Sequence, residues 1–509
     1  MVRLGVMVLA FAVVAGAGFV AWSRFQDARA ASASPSIFAG YVDVTATPTY
    51  AFESPVSDPA KSVVLSFIVA DKTDRCRPSW GSAYDLPAAG QALDLDRRIA
   101  RLVQQGGRVS VSFGGQVNDE LATVCTDPAK LKSAYAEVVD RYDLTGIDLD
   151  IEGAALADGP SLERRAAAIA ALQKDRAAAG KPLSVWLTLP VAPSGLTAEG
   201  VAAVGSMLDA GVDLTGANVM TMDFGGSRAP GQGMLQASTA AAAATHAQLA
   251  GAYQSRGRTL GDETLWRKIG LTPMIGQNDV QGEVFTLADA RGLQQFAAAK
   301  GVGRMSMWSL NRDATCSPNY PDVTRVSDGC SGVEQGGALF SRVLGAGLDS
   351  APLPGPDATA TSTGTATAVV DDPATSPYPI WNETNAYVAQ DRAVWRRNVY
   401  EAKWWTRGDV PDNPVLAGAS TPWRLIGPVL PGDRPLPEVT VPAGTYPEWS
   451  ADKVYRQGER ILFDGHVFEA KWWTRTDSPE AALQGSADSP WLKLKNDAVE
   501  QLLKDKKTG

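Results

Sequence analysis

The chain reads as α/β: a (β/α)8 barrel followed by two small all-β modules. Three observations predict this. Apolar segments of strand length alternate eight times with helix-like stretches between residues 38 and 310. One of them, Thr145-Gly146-Ile147-Asp148-Leu149-Asp150-Ile151-Glu152-Gly153, alternates apolar with acidic residues. The last third repeats itself without gaps at a period of 68 residues, so that Trp404 returns as Trp472.

Bulk properties narrow the chemistry. At 509 residues the chain exceeds one typical domain. Its 45% hydrophobic and 20% charged content is that of a folded protein. A net charge of −9 argues against nucleic acid as a partner and is compatible with a neutral polymer. The 2 histidines, His246 and His466, lie far apart, which disfavours a histidine triad or zinc site. What is left is carboxylate chemistry.

The 4 cysteines, Cys76, Cys125, Cys316 and Cys330, form no C-x-x-C pair. Three connectivities are open. Cys76–Cys125 with Cys316–Cys330 is favoured, because each joins segments expected on the same barrel face; free buried cysteines are the alternative. Arg3 precedes an apolar run from Leu4 to Trp22, followed by Ala28-Arg29-Ala30. The run is longer than a usual signal-peptide core and just spans a bilayer. Residues 1–34 are expected to be a cleaved signal or an uncleaved anchor. Either puts the rest of the chain outside the cytoplasm, secreted or membrane-anchored.

The barrel is expected over 35–348. Its strands read Phe38–Val44, Ser62–Ala70, Arg108–Gly115, the acidic fourth, Leu183–Pro190, Ala217–Asp223, Lys268–Ile275 and Arg304–Leu310. Helices read Leu93–Gln105, Pro128–Asp140, the alanine-rich Ser161–Ala179, Ala198–Ala210, Ser238–Ser255 and Leu287–Ala299. No G-x-G-x-x-G follows the first strand, which disfavours an open doubly wound sheet.

In the fourth strand a period of two sets Asp148, Asp150 and Glu152 in one row. Crowded carboxylates do not all ionise cheaply, so at least one pKa rises, as general-acid work near neutral pH requires. A magnesium or calcium site is the other reading of three acids. The stretch resembles the D-x-x-D-x-D-x-E signature of glycoside hydrolase family 18, the chitinases, with Thr145 in place of the first Asp. The resemblance implies a (β/α)8 (TIM) barrel with the row at the C-terminal end of strand four. It makes Glu152 the proton donor and Asp150 the partner of the substrate's acetamido group, with Asp148 sharing a proton with Asp150.

Other strand ends fit that family. Ser112-Phe113-Gly114-Gly115 resembles S-x-G-G and reads as a packing device. Met220-Thr221-Met222-Asp223-Phe224 resembles M-x-Y-D, with Met222 replacing the Tyr that holds the acetamido carbonyl. Asp223 is a functional candidate. Gln277 and Asn278 are able to donate to sugar hydroxyls or to satisfy loop backbone, and Gln277 is carried as a substrate-binding candidate. Trp308 in Met307-Trp308-Ser309 is the expected sugar platform by resemblance, and Tyr41 joins the substrate-contacting candidates.

Residues 349–377, rich in Ala, Thr, Ser and Pro, read as a linker. Tyr400-Glu401-Ala402-Lys403-Trp404-Trp405-Thr406-Arg407 returns as Phe468-Glu469-Ala470-Lys471-Trp472-Trp473-Thr474-Arg475, placing modules at 378–427 and 447–496 around a Pro-rich 428–446, with a charged tail at 497–509. Each module resembles the chitin-binding carbohydrate-binding modules of families 5 and 12. Trp381, Tyr387 and Trp423, with Trp449, Tyr455 and Trp491, are assigned to folding. Within Trp404–Trp405 and Trp472–Trp473, strand alternation predicts one ring buried and one exposed.

The expectation is a retaining, substrate-assisted chitinase without metal or organic cofactor, a monomer whose partners are chitin and chitooligosaccharides. The alternatives are a non-hydrolytic chitin-binding protein and a glycosidase acting on a related N-acetylglucosamine glycan.

Overall fold

The structure is a computed structural model that describes residues 35–320, 322–348, 370–413, 420–437, 439–483, 488–496, 498, 499 and 501–503. The expected leader (1–34), most of the linker (349–369) and much of the tail (497, 500 and 504–509) lie outside the described residues. The chain divides into two compact units, 1–358 and 359–509.

Among the described residues of the first unit, eight parallel strands close into a barrel. They are β1 (Ile37–Phe38 continued by Gly40–Asp43), β2 (Ser62–Ala70), β3 (Arg108–Gly114), β4 (Gly146–Asp150), β5 (Ser184–Ala192), β6 (Leu214–Met220), β7 (Ile269–Thr272) and β8 (Arg304–Met305). β1 changes partner at Ala39, and that change closes the barrel. Ile37 and Phe38 pair with Arg304 and Met305, whereas Gly40–Asp43 pair with Val63–Ser66. The expected (β/α)8 architecture stands.

Connections follow local chemistry. The helix expected over Leu93–Gln105 is Leu95–Gln104, set off at Asp94, φ 48°, from an unexpected preceding helix, Leu86–Ala92. After β4 comes a short helix, Gly153–Ala157, and then the alanine-rich one, which starts at Gly159 because Asp158 caps it and Pro160 fits its first turn. The helix after β6 starts at Met234, four residues earlier than read, since the alanine-rich run propagates back to Gly233. Between β1 and β2 there is only a 3-10 turn, Pro59–Lys61.

The apolar core lies between strands and helices, where Ile147, Leu149, Val185, Leu187 and Val219 are buried. Disulfides join Cys76 to Cys125 and Cys316 to Cys330, the favoured pairing.

In the second unit each repeat folds a three-stranded antiparallel sheet. The strands are Arg392–Trp395, Asn398–Ala402 and Trp423–Pro428, then Arg460–Phe463, His466–Ala470 and Trp491–Lys493. Tyr387 packs on Trp423 and Tyr455 on Trp491, both with ring centroids 5.0 Å apart. So few residues make a core only by spending aromatics on it.

Candidate active site

β4 carries the acids because its alternation sends Ile147 and Leu149 toward the helices and Asp148 and Asp150 inward. Asp148 is fully buried. Its Oδ2 accepts from Tyr41 Oη at 2.9 Å and Ser112 Oγ at 2.8 Å. Its Oδ1 accepts from Thr188 Oγ1 at 2.7 Å and Arg304 Nη1 at 2.8 Å. The donors come from β1, β3, β5 and β8. Asn218 on β6 supports them, donating to Thr188 Oγ1 at 3.0 Å and Tyr41 Oη at 3.2 Å. Burial, then the Asp148 charge, pushes the Tyr41 phenol well above its usual range, so it stays a donor.

Asp150, two residues on, is treated oppositely. It is buried, and its Oδ1 has no hydrogen-bond partner among the described residues. Burial, then Glu152, then Asp148 hold its carboxyl well above the usual range, against the lowering effect of Arg304. Both Asp148 oxygens are taken by donors, two each, whereas none reaches Asp150 Oδ1 among the described residues.

Glu152 continues the row just past β4 in extended conformation, φ −130° and ψ 164°, and is half-buried. Burial and then the Asp223 charge raise its pKa to about 7. Asp223 sits beyond β6 at φ 47°, a left-handed backbone that costs about 1 kcal/mol. Its N–H donates to Asn278 Oδ1 at 3.2 Å, and its Oδ1 accepts from Val280 N at 3.1 Å. Glu283 accepts the next two N–H groups, of Phe224 and Gly225, each at 2.9 Å. Burial raises the Asp223 pKa as well.

These groups open into a cavity of about 120 Å³ at the C-terminal end of the barrel, the end barrel enzymes use. Asp150, Glu152, Asp223, Tyr41, Met222 and Trp308 line it, together with Phe67, Gln116, Thr188, Met220, Thr272, Met274 and Asp279. Trp308 stacks on Phe67 at 5.5 Å and 23° and tilts against Tyr41 at 6.0 Å, so its ring is held from behind. Gly114 and Gly115 allow β3 to approach. A Cβ at Gly114 would lie 2.0 Å from the Asp150 carbonyl oxygen, and one at Gly115 would lie 3.0 Å from the Phe67 ring.

Departures from the family pattern fall unevenly. Thr145 is exposed, three residues before Asp148, and Phe224 is buried in the core. Only Met222 meets the cavity, a thioether where the pattern has a phenol. The candidate Gln277 needs correction, as it does not line the cavity. Its two-residue strand Gly276–Gln277 pairs with Val284–Phe285, and its N–H goes to Ser331 O at 2.8 Å. The neighbouring Asn278 reaches the site instead, through Asp223. Reasoning from sequence missed Arg304, Thr188, Asn218 and Phe67. The one signal for the first three was a polar residue inside an apolar strand.

The Trp pairs also need correction, because both rings of each are exposed. Trp404 and Trp405 are 44% and 62% exposed, and Trp472 and Trp473 are 48% and 63% exposed. The strands end at Ala402 and Ala470, so each pair lies on a bend where alternation does not apply. Lys403 Nζ lies 4.7 Å from the Trp404 ring and Lys471 Nζ 4.6 Å from that of Trp472.

Residues 448–492 match the carbohydrate-binding module family 5/12. The chain is 37% identical over 271 residues to a probable bifunctional chitinase/lysozyme of Escherichia coli, and 37% identical over 256 residues to endochitinase 11 of Metarhizium anisopliae. These matches cover 51% and 49% of this chain, but only 29% and 47% of the relatives, so the chain spans less than half of either. The catalytic domain of a hyperthermophilic chitinase from Pyrococcus furiosus is similar at TM-score 0.51 and 28% identity, covering 62% of this chain and 96% of that one. Catalytic-site mutants of active domain 2 of a chitinase from the same organism give TM-score 0.50 at 27% identity, covering 62% and 96%. The resemblance to chitinases is borne out, as is that to families 5 and 12 for the second module.

Proposed function

We propose that the chain is a chitinase, hydrolysing β-1,4-linked N-acetylglucosamine polymers with retention while its two modules hold insoluble chitin. The observation that carries this is the acid row. A half-buried Glu152 with pKa about 7 and an Asp150 whose carboxyl is held well above the usual range share a cavity backed by Trp308.

Glu152 gives its proton to the glycosidic oxygen as the C1–O bond breaks. The substrate's own acetamido oxygen attacks C1 from the face opposite the leaving oxygen, forming an oxazolinium ion. Asp150 accepts the acetamido N–H through its unpartnered Oδ1. Glu152, now a carboxylate, takes a proton from the water that attacks C1 and reopens the ring. Two displacements at C1 give retention.

A divalent cation fits the acids poorly. The Asp148 oxygens are filled by hydrogens, one of them on the Arg304 guanidinium, which repels a cation. The exposed Trp pairs supply flat apolar faces for sugar rings, and two linked modules gain avidity on a repeating polymer. The apolar run at Leu4–Trp22 and the two disulfides support a location outside the cytoplasm, secreted or anchored.

The test is sugar release from colloidal chitin by wild type and Glu152→Gln. The proposal expects release to fall 10²- to 10⁴-fold, on the order of a lost general acid, with chitin pull-down unchanged. Binding without release by the wild type would make this a chitin-binding protein. Faster release from peptidoglycan, the substrate class that the E. coli relative's lysozyme name points to, would reassign the substrate.

A further inference from the structure

Across the barrel from the acid row lies a buried guanidinium that the hydrolytic steps do not use. Arg304 is the first residue of β8 and reaches β4, on the opposite wall. It is 2% exposed. Its Nη1 donates to Asp148 Oδ1 at 2.8 Å and its Nε to Ser306 Oγ at 2.7 Å. Its guanidinium carbon lies 5.4 Å from the Tyr41 ring centroid and 5.5 Å from that of Trp186, so aromatic rings from β1 and β5 hold the cation.

We propose that Arg304 is a positioning residue that fixes the proton count of the acid row, by locking Asp148 as an anion and leaving a single proton on Asp150. The proposal rests on the reading of the barrel as a hydrolase.

Two carboxylates two residues apart on one strand face would ordinarily share a proton and titrate together. Here the three hydroxyl donors and the guanidinium fill Asp148, and the guanidinium makes the buried pair neutral overall. The proton on Asp150 then has no acceptor on the barrel floor. It stays on the cavity side, where Glu152 lies and the substrate's acetamido group arrives. The floor thus gives the row a direction.

The charged and titratable groups around this arrangement are few. Tyr41 from β1 and Asp148 from β4 face Arg304, and Glu152, Asp148 and Arg304 face Asp150. Asp223, beyond β6, faces Glu152.

The test is a carbon-13 carboxyl NMR titration of aspartate-labelled, full-length protein, in wild type, Arg304→Met and Arg304→Lys. In wild type the Asp148 signal stays flat while Asp150 titrates. In Arg304→Met the two signals move together in one shared step, and that step shifts upward by about one pH unit with the cation gone. Arg304→Lys, which keeps the charge, restores a flat Asp148. The proposal is overturned if Asp148 and Asp150 move together in wild type, a reading that needs no variant to fold, or if Asp148 stays flat in Arg304→Met. The titration is made on the free protein. Absence of sugar release from chitin by wild type would therefore overturn the functional reading and leave this result standing.

Discussion

The floor and the mouth of the barrel hold the same chemical group on the same strand and treat it in opposite ways. Asp148 on the floor receives four donors, one of them cationic. Asp150 and Glu152 toward the mouth are withdrawn from water without being given donors to match, and their pKa values rise. Hydrogen bonds to a carboxylate keep it charged, whereas burial without them keeps it protonated. One row of acids thereby becomes a fixed anion and a working acid. The modules draw the same contrast with aromatics, since Tyr387 and Trp423 are packed while Trp404 and Trp405 are left bare.

The sharpest way to break the contrast is to remove the floor's anion. Asp148→Ala leaves Arg304 buried and unpaired, and is expected to cost about 3–5 kcal/mol in urea denaturation. A cost below about 1 kcal/mol would mean that the floor is not a locked ion pair.

The mouth should betray itself through pH. Glu152 has a folded pKa of about 7 against 4.5 ordinarily, so the folded state binds its proton more tightly than the unfolded state. Its stabilising contribution is complete below 4.5 and is lost as pH rises through 7. Between those values wild type should lose roughly 3 kcal/mol relative to Glu152→Gln, a difference read from paired denaturant melts. Parallel curves across that window would remove the distinction between mouth and floor. On soluble chitooligosaccharides the same proton predicts an alkaline limb of kcat/KM near pH 7.

The smallest effect separates modules from barrel. Trp405→Ala combined with Trp473→Ala should weaken chitin pull-down about tenfold or more while leaving soluble-substrate hydrolysis unchanged. A loss in the second assay would mean that the exposed rings serve the barrel as well.

Much of the candidate site was legible because it is local. Period-two alternation placed Asp148, Asp150 and Glu152 in a row, and the shift of 68 residues exposed the repeated modules. Gly114 and Gly115 read as packing glycines because only a missing Cβ tolerates a carbonyl at 2.0 Å and a ring at 3.0 Å. The failures were also local readings, applied where the backbone had left the element. Trp404 and Trp405 were read as strand when they lie on a bend, and Gln277 was read as a rim when it lies in a hairpin.

By itself, then, the sequence determined the strands, the acid row, the disulfide pairing it favoured and the repeat, all carried by spacing along the chain. Only the tertiary structure decided which acid is charged. That choice depends on Arg304, 156 residues from Asp148, and on hydroxyls from three further strands. Closing the barrel brings them to one carboxylate, and no periodicity along the chain records a contact made across its interior.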